Sequence, residues 1–364
     1  GITLAKPLQL RVGIALTAEQ VAQLTSDIVW LVQQEVTLKD GSQQKVLVPQ
    51  VYAVARAGDL AANGALLGGV MSGNVVNLST IGDISNSHGT IQGRELVSLN
   101  ATNVRNLAGR IEGKSVALNA TQDIENIGGA VIAQQSLSAT AGRDITVQTT
   151  TLDSRSATPS QAAAPTASVG GMLVSVGAAG GGSSAGLQTR STDISRVAGL
   201  YVTGEAGVLL ASAARDVQLT AALLQSQGST TVNAARNLSL DTVTTSASMD
   251  ATKDADNYNR SSSSREVGTT LQSAGNTTLT AGQDVKARAA NVQAAGNLNV
   301  MAGGNVTIES GVATSSVASA SKTSNSGFMS SSTRTERSSR SSTETIASNF
   351  SGNNVTAISQ NDLT

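Results

Sequence analysis

The sequence predicts an all-β chain wound as a parallel β-helix, a solenoid of about 20–21 residues per coil, and three observations lead there. An Asp or Asn followed by an aliphatic residue recurs as Asp83-Ile84, Asn103-Val104, Asp123-Ile124 and Asp144-Ile145 at spacings of 20, 20 and 21, and Asn86, Asn106 and Asn126 repeat in step with Gly89, Gly109 and Gly129. Between them lie short alternating segments such as Val116-Ala117-Leu118 and Thr278-Leu279-Thr280, which read as strands with one face inside. Only 2% of residues are aromatic against 39% hydrophobic, so the interior must be filled by Ala, Val, Leu and Ile, as a narrow bore requires. A lone coil cannot bury its aliphatic face, so stability has to come from stacked neighbours. Asn and Gly are expected at the corners, where they tolerate left-handed backbone.

Residues 1–55 differ from the rest and read as a segment bracing the rod. Thr17-Ala18-Glu19-Gln20 is a capping-box pattern, and Val21, Leu24, Ile28 and Leu31 follow at helical spacing, which predicts a short amphipathic helix over 17–34. A β-hairpin is expected next, with its turn at Lys39-Asp40-Gly41-Ser42 and its return through Lys45–Pro49. Trp30 and Tyr52 are expected to pack on the first coil, the alternative being a partner-binding site. Residues 56–149 read as regular coils, preceded by a weaker motif at Asp59-Leu60. The repeat is then interrupted over 150–198, a Gly/Ala/Pro-rich insertion with nothing charged between Arg155 and Arg190. It reads as a loop with a short adhering strand or as a membrane-seeking hairpin.

Residues 199–364 resume the coil through Asp216-Val217, Asn237-Leu238, Asp284-Val285, Asn305-Val306 and Asp362-Leu363. Two of these spacings are 21; the others, 47 and 57, equal 21 plus 26 and 21 plus 36. Ser/Thr-rich insertions at about 243–270 and 312–350 account for the excess and read as long hairpins leaving the rod or as partly disordered loops. On the order of a dozen coils at about 4.8 Å each make a rod of roughly 60 Å. The start at Gly1-Ile2-Thr3-Leu4 is neither a signal peptide nor an initiator Met, so the chain reads as a section of something longer.

One His, no Cys and a net charge of −1 supply little for thiol chemistry, a Ser-His-Asp triad, most metal sites or a basic nucleic-acid surface. The expectation is a non-enzyme with no catalytic, cofactor-binding or metal-ligating residue, no cofactor and no nucleic-acid partner. His88 stands where sibling coils carry Ala108 and Gly128, so it reads as a solvent-facing corner substitution. Asp250, Asp254 and Asp256 could suggest calcium, but neither an EF-hand nor a Gly-Gly-x-Gly-x-Asp nonapeptide is present. Asp83, Asp123, Asp144, Asp216 and Asp284 might be the carboxylates of a polysaccharide-acting β-helix. They interchange with Asn103, Asn237 and Asn305, as corner hydrogen bonding allows and acid-base catalysis does not. Arg334, Arg337 and Arg340 alternate with Glu336 and Glu344, which reads as a solvated face.

The coils Gly113–Ile124 and Ala281–Val285 resemble the haemagglutinin repeats of filamentous haemagglutinin-type two-partner-secretion exoproteins. Leu16–Gln20, Asp27–Leu31, Val46–Tyr52 and Arg196–Val202 resemble more narrowly the second, toxin-proximal repeat region of contact-dependent growth inhibition exoproteins of the CdiA type. This resemblance implies a right-handed β-helix, secreted or held at the cell surface of a Gram-negative bacterium through an outer-membrane transporter. It further implies adjoining domains of the same exoprotein, association with the target-cell outer membrane, and a stalk or translocation role in delivering a C-terminal toxin. An adhesin rod for attachment or aggregation is the alternative.

Overall fold

The computed structural model describes residues 28–37, 43–52, 65–158, 166–169, 172–175 and 186–364, and every regular element among them is a β-strand. The repeat dictates the core. Ile84, Val104, Ile124, Ile145, Val217, Leu238, Val285 and Val306, each following a repeated Asp or Asn, stack in register in a nine-stranded parallel sheet, the short face, and all are buried. Leu363 adds a parallel bridge to Val306, extending the column to the last motif. A fourteen-stranded sheet forms the long face. It stacks Ile91, Ile111, Val131, Leu200, Leu224, Leu271 and Val292 in one column, and Leu99, Leu118, Ala139, Ala211, Val232, Leu279 and Val300 in another. These columns form one hydrophobic cluster, and the fold is a parallel β-helix.

Among the described residues nine rows at about 4.8 Å give about 40 Å of rod, and the motif at Asp59-Leu60 lies outside them. Up to Ala141 each coil crosses the long face in a single strand with a register shift near its middle, as between Gly93 and Leu96. From Gly199 the same path is split into Gly199–Val202 and Val208–Ala213, so the later coils carry an additional corner.

The corners differ from the expectation. The residue after each short-face strand is left-handed at Gly68, His88, Ala108, Gly128, Ala221 and Ala289, with φ between 46° and 63°. His88 is therefore a corner residue, as its alignment with Ala108 and Gly128 implied. Ala, which carries a Cβ and costs about 1–2 kcal/mol in this conformation, replaces the expected Asn because the next coil overdetermines the turn. The N–H groups of His88 and Ala108 donate to the carbonyls of Leu107 and Ile127 one coil on, at 2.9 and 2.8 Å.

The repeated Asn residues lie inside. Asn86 donates from Nδ2 to Asn106 Oδ1 (2.9 Å), and Asn106 in turn to Asn126 Oδ1 (2.8 Å), with all three buried. Each Nδ2 also donates to the carbonyl three residues on, at Gly89, Gly109 and Gly129. A Cβ on Gly109 would lie 2.3 Å from Asn86 Nδ2, and one on Gly129 the same distance from Asn106 Nδ2. That close approach is why the Asn and Gly repeats run in step.

The helix expected over 17–34 is corrected where it can be seen. Residues 28–34 belong to a strand, Ile28–Thr37, paired antiparallel along its whole length with Gln43–Tyr52, and residues 17–27 lie outside the described residues. Ile28-Val29-Trp30-Leu31-Val32 is a β-branched and aromatic run whose strand preference outweighs the helical spacing of Ile28 and Leu31. The packing expected of Trp30 and Tyr52 concerns side chains outside the described ones.

Candidate functional site

The repeated acidic residues are structural joints. Asn103 Oδ1 accepts from the backbone N–H of Asp123 (3.1 Å), Asp123 Oδ1 from Asp144 (3.2 Å), Asp144 Oδ1 from Asp216 (3.1 Å) and Asp216 Oδ1 from Asn237 (3.1 Å). The ladder continues through Asn237, Asp284 and Asn305 to Asp362. An acceptor is all the position requires, and Asp and Asn both supply one. At three of the Asp acceptors a stacked arginine follows: Arg143 Nε donates to Asp123 (2.7 Å), Arg215 to Asp144 (2.7 Å) and Arg236 to Asp216 (2.8 Å), whereas at Asp284 the position is Gly304. The Arg143 guanidinium holds the Asp123 carboxyl below the usual carboxylate range, and Arg236 does the same to Asp216.

What is not explained by the coil is concentrated in the insertions. After Gln148, Asp241 and Glu309 the chain leaves the rod at the corner that other coils turn with a left-handed residue. The coils between them turn normally at Ala221 and Ala289, so insertions leave from alternate coils. Two coils rise about 9.6 Å, which is also the width of a two-stranded hairpin, so successive hairpins meet edge to edge. They form one six-stranded antiparallel sheet, the fin, in the order Thr150–Thr158, Gly186–Arg196, Val243–Asp254, Asn257–Val267, Gly311–Gly327, Ser330–Ile346. For the second and third insertions, the long-hairpin reading describes the fin strands seen here.

Two buried hydroxyls and one half-buried one join the fin to the rod. Thr149 Oγ1 accepts from the N–H of Ala198 (3.1 Å), where the first insertion returns. Thr269 Oγ1 donates to the Leu219 carbonyl (2.6 Å), and Ser348 Oγ to that of Glu309 (2.6 Å), at the other two returns. A salt bridge reinforces them: Arg288 on the short face reaches Glu266 at the fin base (3.0 Å) and Glu309 (3.3 Å), while Glu266 Oε2 accepts from the N–H of Val312 (2.9 Å). Sequence reading missed all of these residues. The signal was there in part, since Thr149, Thr269 and Ser348 each flank a break in the repeat.

The fin itself is polar. Small hydroxyls pair between its strands, as in Ser262 with Ser316 (2.8 Å), Ser264 with Thr314 (2.7 Å) and Ser315 with Ser342 (2.8 Å). Buried Met249, Ser261 and Ala320 are exceptions, and the strands Val243–Asp254 and Asn257–Val267 lie near the small hairpin of Thr166–Val169 with Met172–Ser175. The three aspartates weighed for calcium are each engaged. Asp250 meets Arg260 (3.4 Å), whose guanidinium lies 4.7 Å from the Tyr258 ring centre, and Asp254 accepts from the Asp256 N–H (2.9 Å). Asp256 binds Lys322 (3.0 Å) and Arg337 (2.6 Å), which hold its carboxyl low. Among the described residues no group of three or more His, Asp or Glu could hold a metal ion.

Asn257–Val267 pairs with its neighbour only as far as Ala320, so Ser321–Gly327 and Ser330–Glu336 continue outward as a two-stranded tip. At its end Phe328, one of two phenylalanines in the chain, and Met329 are exposed. Strands of 17 residues place that tip roughly 55 Å from the fin base.

Residues 181–327 match the hemagglutinin repeat family. Similar proteins include a tRNA nuclease CdiA of Escherichia coli O6:K15:H31, 39% identical over 129 residues, which are 35% of this chain and 4% of that protein. A tRNA nuclease CdiA of Yersinia mollaretii is 34% identical over 149 residues, 40% of this chain and 5% of the relative. The filamentous hemagglutinin of Bordetella pertussis is 42% identical over 99 residues, 26% of this chain and 3% of the relative. The matches thus span about one-twentieth or less of the relatives' length, and the nuclease in two of the names describes those whole proteins. No solved structure matches the chain.

Proposed function

Since this chain is a β-helical rod carrying haemagglutinin repeats of the filamentous haemagglutinin type, akin to the repeat region of CdiA proteins, we propose that it is the stalk and translocation module of a secreted Gram-negative exoprotein. In this reading it has no catalytic role and is exported through an outer-membrane transporter as part of a two-partner system. At the target cell it helps carry a C-terminal toxin across the outer membrane. Residues 1–55 brace the rod, the coils of 56–149 and 199–364 supply reach, and the insertions do the work at the target. One observation carries this: a regular rod devotes three insertions to a single polar sheet whose farthest point is Phe328-Met329. An apolar pair held away from the core by Ser-rich strands suits contact with a surface more than folding.

Deleting 243–268 and 311–346 returns both interrupted spacings to 21 residues and so preserves the coil. In the exoprotein that carries this chain, the deletion is expected to leave secretion and target attachment intact and to abolish growth inhibition of target cells. Undiminished inhibition would refute the delivery role. A loss of attachment with inhibition unaffected in cells already joined would favour an adhesin rod, the reading to which the Bordetella pertussis similarity lends weight.

A further inference from the structure

We propose that the outer strand of the fin, Ser330–Ile346, is a dimerisation edge that pairs antiparallel with the same strand of a second copy of this chain, joining two six-stranded fins into one twelve-stranded sheet. The strand ends the sheet order, so among the described residues one side of its backbone has no strand partner, and along 17 residues its side chains are exposed, only Ile346 being partly covered. A row of unpaired N–H and C=O groups of this length is a template for another strand. Natural edges are commonly blunted by charged side chains, and like charges set directly opposite each other destabilise a strand pair. This edge carries both signs: Arg334, Glu336, Arg337, Arg340 and Glu344.

Their order is self-complementary. With a two-fold axis at Ser338 the strand overlaps its copy over its whole length, Ser330 opposite Ile346, and residues opposite each other share a face. Glu336 then faces Arg340 of the second copy and Arg340 faces Glu336, so the pair is made twice. Arg334 falls opposite Ser342, Arg337 opposite Ser339 and Glu344 opposite Ser332, so no like charges are directly opposed. Arg340 makes no ion pair within the described residues; Arg337 is already held by Asp256, and Glu336 by Arg334 in an exposed pair that Arg340 of the second copy would share. Moving the axis to Arg337 would set Arg337 against itself and Arg334 against Arg340. Moving it to Ser339 drops Ser330 and Ser331 from the overlap and exchanges the Glu336–Arg340 pairs for Arg334–Glu344 pairs.

The test is the mass of the 364-residue chain in solution against concentration, by sedimentation velocity. A monomer–dimer equilibrium is expected. Arg340→Glu should weaken it about tenfold by setting Glu against Glu twice, and the double variant Glu336→Arg/Arg340→Glu should restore it. Because the chain has no Cys, Ser338→Cys gives a specific readout. Opposed Cα atoms at an antiparallel pair lie within disulfide range, so this variant should cross-link under mild oxidation and Ser339→Cys should not. A chain that stays monomeric at all concentrations would overturn the proposal. So would a dimer indifferent to Arg340→Glu, or one cross-linked through Ser339→Cys and not through Ser338→Cys.

Discussion

The coils and the fin are made of the same backbone pairing and held by different forces. In the coils the strands stack Val, Leu, Ile and Ala in columns that form one hydrophobic cluster, with a few Asn, Ser and Thr among them. In the fin Met249 and Ala320 are the buried apolar side chains, and the remaining cohesion is the backbone ladder with Ser and Thr hydroxyls between strands. Burial of apolar surface contributes roughly 25 cal/mol per Å², whereas an exposed hydrogen bond trades water for protein at little net gain. The difference teaches that the rod is the source of stability and the fin a dependent sheet, held where Thr149, Thr269, Ser348 and Arg288 join it to the corner.

Mutations should separate the two regions sharply. Leu219→Ala, at a position with no exposure, is expected to cost about 2–5 kcal/mol, while Ser316→Ala in the fin should stay within about 0.5 kcal/mol; thermal unfolding of the two variants reads the contrast directly. If both shifted the transition equally, the contrast would be wrong. Asn106→Ala should come next, at about 1–3 kcal/mol, because it leaves Asn126 Oδ1 without its donor inside the rod and takes one acceptor from Asn86 Nδ2. The sign reverses at Thr230 and Thr277, which stack in register between Leu209 and Leu298 with hydroxyls that find no partner among the described residues. Thr230→Val should therefore stabilise the coil, by about 1 kcal/mol, and a lowered melting temperature would contradict this.

The smallest effect concerns the arginine column. Asp123 and Asp216 have carboxyls held below the unfolded-state value, so their contribution is present above the usual carboxylate range and is lost as pH falls through the depressed folded values. Since the arginines are exposed to solvent, which screens the pairs, the effect of each is small. Arg143→Gln combined with Arg236→Gln should lower stability slightly at neutral pH and leave it unchanged below the depressed folded values, so that the acid limb of the profile flattens, which urea titrations at several pH values would show.

The rod was legible because its period is short and its joints are chemically specific: Asp83 through Asp362 marked the short-face corner correctly, and the changes in spacing marked the insertions. The exchange of Asp123 for Asn103 identified a hydrogen-bond acceptor before its donor could be seen. Asn86 was harder, since nothing in one sequence distinguishes an Asn that turns the chain from one that ladders inside it. His88 and Ala108 show that the turns are imposed by the neighbouring coil and not by local preference. The hairpin partner of Ile28–Thr37 likewise outweighed the helical spacing of Ile28 and Leu31. The fin was the least legible, because sequence reveals each hairpin separately and its assembly depends on the match between two coil rises and one hairpin width.

Hydrogen exchange followed by mass spectrometry on the intact chain tests the contrast most directly. Amides of the coil strands, such as Val217–Thr220 and Val285–Arg288, should be the slowest to exchange. The two-stranded tip, Ser321–Gly327 with Ser330–Glu336, should exchange fastest, and Asp256→Ala should speed it further by releasing Lys322 and Arg337. Protection of the tip equal to that of the coil would contradict the account.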